Sequence, residues 1–235
     1  MSDIKYFDAH THLDADFSGA YTAAVSASNP EEWRRALDLK AARGGVFLTF
    51  GAHPWTASAE TASRLREFLP LADALGEIGM DSVWTDTDLG LQREVFITQL
   101  DLARELSMPV VLHTKGCEAE IAAITARYAL RYLVHWYSGE EICAEFLRGN
   151  YFFTVGCDID ANPAVANVAR RVPLERLTLE TDGAAATAWA GLGELPPRDV
   201  LRNTARAVAA IKGVAPESVL RAAYRNAARF YGARS

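Results

Sequence analysis

Residues 108–137 read MPVVLHTKGCEAEIAAITARYALRYLVHWY. Two short apolar runs, MPVVLHT and RYLVHWY, each carry a histidine near their end, and Ala119–Tyr128 between them has helical period. This is a strand, a crossover helix and a second strand parallel to the first. The alternation continues outward on both sides. Upstream lie IKYFDAH (4–10), YTAAVSAS (21–28), VFLTFGAH (46–53) and ALGEIGM (74–80); downstream lie YFFTVGC (151–157) and RLTLETD (176–182). Most of these runs are apolar on both faces, as strands of a helix-covered parallel sheet should be. Helices are predicted over Pro30–Arg43, Thr61–Leu71, Leu91–Leu106, Glu140–Arg148 and Pro163–Arg171, with Asn29 as an N-cap and Pro30 at the first helical position. Asp199–Lys212 and Glu217–Tyr231 add two more after the last strand. Eight β runs with helical crossovers predict an α/β fold, a closed (β/α)8 TIM barrel. An open dinucleotide-binding sheet lacks its G-x-G-x-x-G after the first run. The segment between His12 and the second run is too short for a crossover helix, so the first β/α unit is abbreviated.

The 235 residues fit one barrel domain spanning 1–235, with no low-complexity stretch or Gly/Ser linker to divide them. Half the residues are hydrophobic, enough for a sizeable core, yet no apolar run approaches the ~20 residues that span a bilayer. The N-terminus, MSDIKYFD, has none of the regions of a signal peptide. Cys117, Cys143 and Cys157 match no metal-binding spacing, which with their odd number predicts a reduced, cytoplasmic protein. A net charge of −6 argues against general affinity for nucleic acid or anionic membrane, although bound cations would create a local positive site.

The five histidines, His10, His12, His53, His113 and His135, all fall at or near the ends of predicted strands. That end of a barrel carries the active site. His10 and His12 are two apart on a strand and so point to one face, where both imidazoles can meet one ion. Glu77, between Gly76 and Gly79 on an apolar strand, is a carboxylate whose burial requires a cation or hydrogen bonds. It can offer one oxygen to each of two cations. His113 and His135 occupy equivalent places on successive strands. Asp182 ends RLTLETD before Gly183, and Glu180 shares its strand face, one layer deeper, as a group supporting the ligands.

The ordered set HTH, GAHP, GEIGMD, PVVLH, HWYSG and ETD resembles the TatD-like metal-dependent hydrolases, a DNase family among the amidohydrolase-type barrels; NAARFYG (226–232) is similar to that family's C-terminal helix. The resemblance implies two divalent metal ions, Mg2+, Mn2+ or Zn2+. It makes His10 and His12 ligands of one ion, completed by Asp182. Glu77 bridges the two, and His113 and His135 hold the second. His53 lines the pocket. Nuclease activity on DNA is the implied chemistry. Four features depart from the pattern: the short first crossover, Lys115 where Arg is common, Gly183 where Pro follows E-T-D, and no basic residue between Asp182 and Arg198.

Two ions would acidify a water, with Asp182 as proton acceptor and Glu77 as bridge, and Lys115 would bind a substrate phosphate. The predicted loops carry Asp14, Asp16, Glu31, Glu32, Asp81, Asp86, Asp88, Glu118, Glu140, Glu141, Asp158 and Asp160 against few cations, which favours a small phosphate-containing substrate or short nucleic acid over long duplex. Trp55, Trp84, Trp136 and Trp189 are candidates for stacking on bases. Nothing in the sequence points to a membrane or a protein partner. The alternatives are an amidohydrolase-type C–N or ester hydrolase on a small metabolite, and a non-catalytic metal-binding protein. A barrel bridged by a carboxylated lysine is disfavoured because the bridging position holds Glu77.

Overall fold

The computed structural model describes residues 4–232; Met1–Asp3, at the head of the N-terminal segment read above, lie outside them. Eight parallel strands follow in chain order around one sheet: β1 Phe7–Thr11, β2 Thr22–Ala27, β3 Val46–Phe50, β4 Ala74–Asp81, β5 Val110–Lys115, β6 Tyr132–Val134, β7 Tyr151–Val155 and β8 Leu177–Leu179. The helices are α1 Pro30–Ala42, α2 Ala59–Phe68, α3 Leu89–Leu106, α4 Glu118–Thr125, α5 Ala144–Arg148, α6 Pro163–Arg171, α7 Gly183–Trp189, α8 Pro197–Lys212 and α9 Pro216–Tyr231. This is the expected TIM barrel. Its abbreviated first unit is also present, since β1 runs to β2 with no helix between them. Asn29 caps α1 by accepting from the N–H groups of Glu31 and Glu32.

Side chains close the seam between β8 and β1. The Asp8 carboxylate accepts from the Thr181 N–H (3.0 Å) and hydroxyl (2.6 Å), and the Asp182 N–H donates to the His10 carbonyl (3.1 Å). Burial pushes the Asp8 carboxyl up to about 7 despite those two bonds, because the charged form loses its water. These contacts tie the first strand tip to the last.

The N-terminal end of the barrel is plugged. Phe7, Ala9, Ala24, Val111, Leu133 and Phe152 point inward there and pack against Ala227, Phe230 and Tyr231 of α9. The Tyr231 hydroxyl donates to the Ala9 carbonyl, so the last helix is anchored inside the first strand. The open, polar end is therefore the C-terminal one. No helix among the described residues is long and apolar enough to cross a membrane.

Three local expectations are corrected. The helix predicted from Glu140 begins only at Ala144. The Tyr137 hydroxyl donates to the Glu141 carbonyl and Ser138 accepts from Lys115, which holds this stretch as a loop over the barrel mouth. α7 was not anticipated; Asp14 receives the Ala185 N–H and fixes its first turn. Finally, β8 stops at Leu179 and Asp182 adopts a left-handed backbone (φ 60°), so strand alternation does not relate Glu180 to Asp182.

Candidate metal centre

Glu77 lies at the middle of the open end, 3% exposed, on a strand buried along its whole length. Its Oε2 is 2.8 Å from His10 Nε2 and 3.6 Å from His135 Nε2. Its Oε1 is 2.6 Å from His53 Nε2 and 3.2 Å from His113 Nδ1. Asp182 Oδ1 lies 3.3 Å from His10 Nε2, 3.2 Å from His12 Nε2 and 3.9 Å from His135 Nε2. All six residues expected to bind metal are thus brought to one place, from β1, β4, β5 and the loops after β1, β6 and β8; His12, expected on the strand with His10, lies just past the end of β1.

His113 Nδ1 and Glu77 Oε1 share a hydrogen bond, but four other polar atoms of the cluster lie close together without hydrogen-bond geometry. His10 Nδ1 and Nε2, Glu77 Oε2 and Asp182 Oδ1 are buried without a hydrogen-bond partner. A buried, unpaired donor or acceptor costs about 1–3 kcal/mol, more when charged. Several converging on one point is the signature of a site built for a cation, and this imidazole and carboxylate set fits a divalent ion. Three groups of ligand atoms lie mutually within 4.8 Å: His10, His12 and Glu77; His10, His135 and Asp182; His53, Glu77 and His113. Against the sequence expectation, His113 is grouped with His53, and His135 with His10 and Asp182. His53, expected only to line the pocket, reaches Glu77 as closely as any histidine does.

The imidazoles are held from behind. His135 Nδ1 is 2.8 Å from Glu180 Oε2, while Glu180 Oε1 accepts the Trp136 N–H. Trp136 carries a positive φ of 34°, a conformation its peptide keeps because that N–H is also bound by Thr154. Glu180 therefore orients the His135 imidazole. Asp81 was missed. Counted from sequence as a rim charge, it is fully buried, 2.8 Å from His113 Nε2, and accepts from the Trp55 indole N–H (2.6 Å) and the Val83 and Trp84 N–H groups. The available signal was parity, since Glu77, Gly79 and Asp81 alternate along one strand face. Gly79 sits opposite His113 in the ladder, and a Cβ there would collide with the His113 carbonyl. That close approach draws β4 and β5, and hence Glu77 and His113, together.

Asp81→Ala is expected to weaken metal binding about 10–100-fold, because a partner that orients a ligating imidazole typically contributes that much. Metal titration of the apo protein measures it. Unchanged affinity would remove Asp81 from the site.

Charge in the cluster is balanced internally. Burial opposes a charged His10, yet Glu77 and Asp182 outweigh it and hold the imidazole well above its ordinary range. The same contest ends with His12 raised by Asp182 and His113 raised by Asp81 and Glu77. His53 goes the other way, because its burial outweighs Glu77. Burial would raise Glu77 and Asp182, but the surrounding imidazoles hold both well below the carboxylate range.

Around the cluster opens a cleft of about 970 Å³. Trp55, Trp84 and Trp189 line it and are 48%, 58% and 66% exposed; Trp136 lines it but is buried. Lys115, the last residue of β5, donates to Ser138 Oγ (2.5 Å) and the Trp136 carbonyl (3.4 Å). Arg35 of α1 is a second cation on the wall, one that its place on a helix rather than a strand-tip loop hid in the sequence. Asp14, Glu32, Glu118, Glu140 and Asp158 line the cleft too, although Asp158 is buried rather than on the rim.

A family model described as TatD related DNase matches residues 7–232. The chain belongs to that family. Among its TatD relatives, an uncharacterized metal-dependent hydrolase of Methanocaldococcus jannaschii is 27% identical, the match covering 98% of each chain. A deoxyribonuclease of Homo sapiens is 25% identical over 97% of this chain and 95% of its own. The crystal structure of a TatD homologue from Escherichia coli superposes with a TM-score of 0.86 at 23% identity, covering 98% of this chain and 99% of that one. The TatD barrel is thus matched end to end.

Proposed function

We propose that this chain is a divalent-metal-dependent hydrolase whose binuclear centre activates water against phosphoester bonds in short nucleotide substrates. The observation that carries this reading is the convergence of buried, unpartnered atoms of His10, Glu77 and Asp182 on one point. As the resemblance implies, His10, His12 and Asp182 would hold one ion and His113 and His135 the other, although His135 also lies beside His10 and Asp182. Glu77 would help hold both, since its two oxygens face different histidines. Bound divalent cations, Mg2+, Mn2+ or Zn2+, would supply Lewis acidity and bring the pKa of a water to about 7. The mixed donors suit transition ions better than Mg2+ alone.

The chain's own groups do the rest. Asp182 accepts the proton of the attacking water on Oδ1, which no hydrogen bond occupies. Asp81 and Glu180 keep His113 and His135 in orientation. Lys115 spends two of its three N–H groups on the loop after β6 and keeps one for a substrate phosphate. The exposed tryptophans give bases flat partners. Phosphate chemistry is supported by the family and by the relative named a deoxyribonuclease. The cleft's size suits a short substrate, and its acidic lining opposes a long polyanion. With its free cysteines and no membrane-crossing helix described, we assign the enzyme to the cytoplasm.

Reconstituted protein should bind about two divalent ions per chain. Affinity should fall with falling pH, because raised His10, His12 and His113 hold protons that each ion must displace. The metal-loaded enzyme should cleave a bis-aryl phosphate and short single strands much faster than long duplex. Active protein with no bound metal would end the metal reading. Activity confined to carboxylic esters or amides would move the chain to the amidohydrolase alternative, and metal binding without any hydrolysis to the non-catalytic one.

A further inference from the structure

The plugged end of the barrel has a surface unlike the rest of this acidic chain. α9 packs its apolar face into the barrel and turns Arg221, Arg225 and Arg229 toward a second cavity of about 520 Å³, with Ser218, Asn226 and Glu175 on its wall. Residues four apart on a helix are about 6 Å apart along its axis, and like charges at that spacing destabilise it. Glu175 shares the wall, yet among the described residues no carboxylate forms an ion pair with any of the three arginines. The arginine ion pairs among the described residues are those of Arg66, Arg93, Arg104, Arg148 and Arg202, none on α9. Arg229 donates instead to the Glu175 carbonyl (2.9 Å) and lies over the Phe152 ring.

A fourth guanidinium lies close enough to Arg229 to feel its charge, although it is not on the cavity wall. Arg131, just before β6, lies over Phe230, and its Nε is buried without an acceptor among the described residues. Its burial, and then the charge of Arg229, depress its affinity for a proton.

We propose that this end of the barrel is a second ligand site, distinct from the metal centre, that takes a phosphate-bearing molecule of nucleotide size. Guanidinium forks match phosphate oxygens two at a time, and a phosphate group has oxygens enough to meet two of them together with the Ser218 hydroxyl. The cavity lies within the range for small-molecule pockets and exceeds what a bare ion fills. Its arginines sit among the N-terminal ends of β6, β7 and β8, whereas the metal cluster lies beyond the C-terminal ends. An occupant here never reaches the reacting atoms, so the site stands whatever bond the metal centre cleaves.

The test uses the metal-loaded full chain and three probes: inorganic phosphate, a nucleoside 5′-monophosphate and the same nucleoside without phosphate. The readout is the side-chain Nε–H resonances of Arg131, Arg221, Arg225 and Arg229. Saturable shifts with both phosphates, stronger with the nucleotide and missing with the nucleoside, are expected. Arg221→Gln/Arg225→Gln should lower that affinity by about tenfold or more, a loss of roughly 1.4 kcal/mol, while metal content is retained. Arg221→Lys/Arg225→Lys should fall between, because charge survives and the fork does not. Shifts that chloride reproduces at equal ionic strength would reduce the site to charge screening and overturn the proposal. So would phosphate binding that is identical in all variants, since the anion would then lie at the metals.

Discussion

Asp182→Asn is expected to lower turnover by about 10²–10⁴-fold with the fold and most of the bound metal retained. The substitution is clean for a conformational reason: Asp182 has a left-handed backbone, and asparagine accepts that region as readily as aspartate. Its N–H bond to the His10 carbonyl, which helps close the seam between β8 and β1, does not involve the side chain. What changes is Oδ1, which lies between His10 and His12 without a hydrogen bond. An amide oxygen in that place can contact a cation but cannot take a proton from water. Kinetics with saturating metal read the effect in kcat rather than KM. A variant that keeps wild-type turnover and a wild-type pH–rate profile would show that Asp182 is not the base.

Glu77→Gln should do more damage, because it strikes both halves of the centre at once. Glu77 is the carboxylate that His10, His53, His113 and His135 all face, and its charge offsets theirs in the metal-free protein. A neutral amide is a poorer bridge between cations, and it points N–H groups at one of the places an ion would occupy. Loss of at least one metal ion and about 10³-fold or more of turnover are expected, since water activation by two ions needs both in place. His53→Ala should cost less, because one imidazole is lost while the bridge remains. Elemental analysis beside kinetics separates the two. Full metal content and activity in Glu77→Gln would refute the bridging assignment, and equal losses in both variants would make His53 a ligand in its own right.

The site was legible in sequence where strand geometry decides direction. His10, Glu77 and His113 lie in strands, and the periodicity that identified those strands also placed their side chains at the barrel mouth. His135 and Asp182 follow strands that end early, yet their order along the chain still puts them at the same mouth. Asp81 was misread for want of one fact. Whether a carboxylate at a strand tip faces solvent or turns inward depends on neighbours such as Trp55 and His113, which come from other strands. Arg35 escaped because which helix residues reach the cleft depends on how α1 packs against the barrel.

From sequence alone came the barrel, its abbreviated first unit and the identity of the candidate ligands. Local periodicity dictates strands and helices, and chain order in a parallel barrel dictates which ends meet. Tertiary structure alone decided the pairings: His53 with Glu77, His135 with Glu180, His113 with Asp81, and Asp8 across the seam with Thr181. It alone turned the arginines of α9 into one face of a cavity. The physical reason is common to all of these. Such contacts join residues far apart in the chain, and their distances depend on how closely strands and helices pack, which no local pattern of residues encodes.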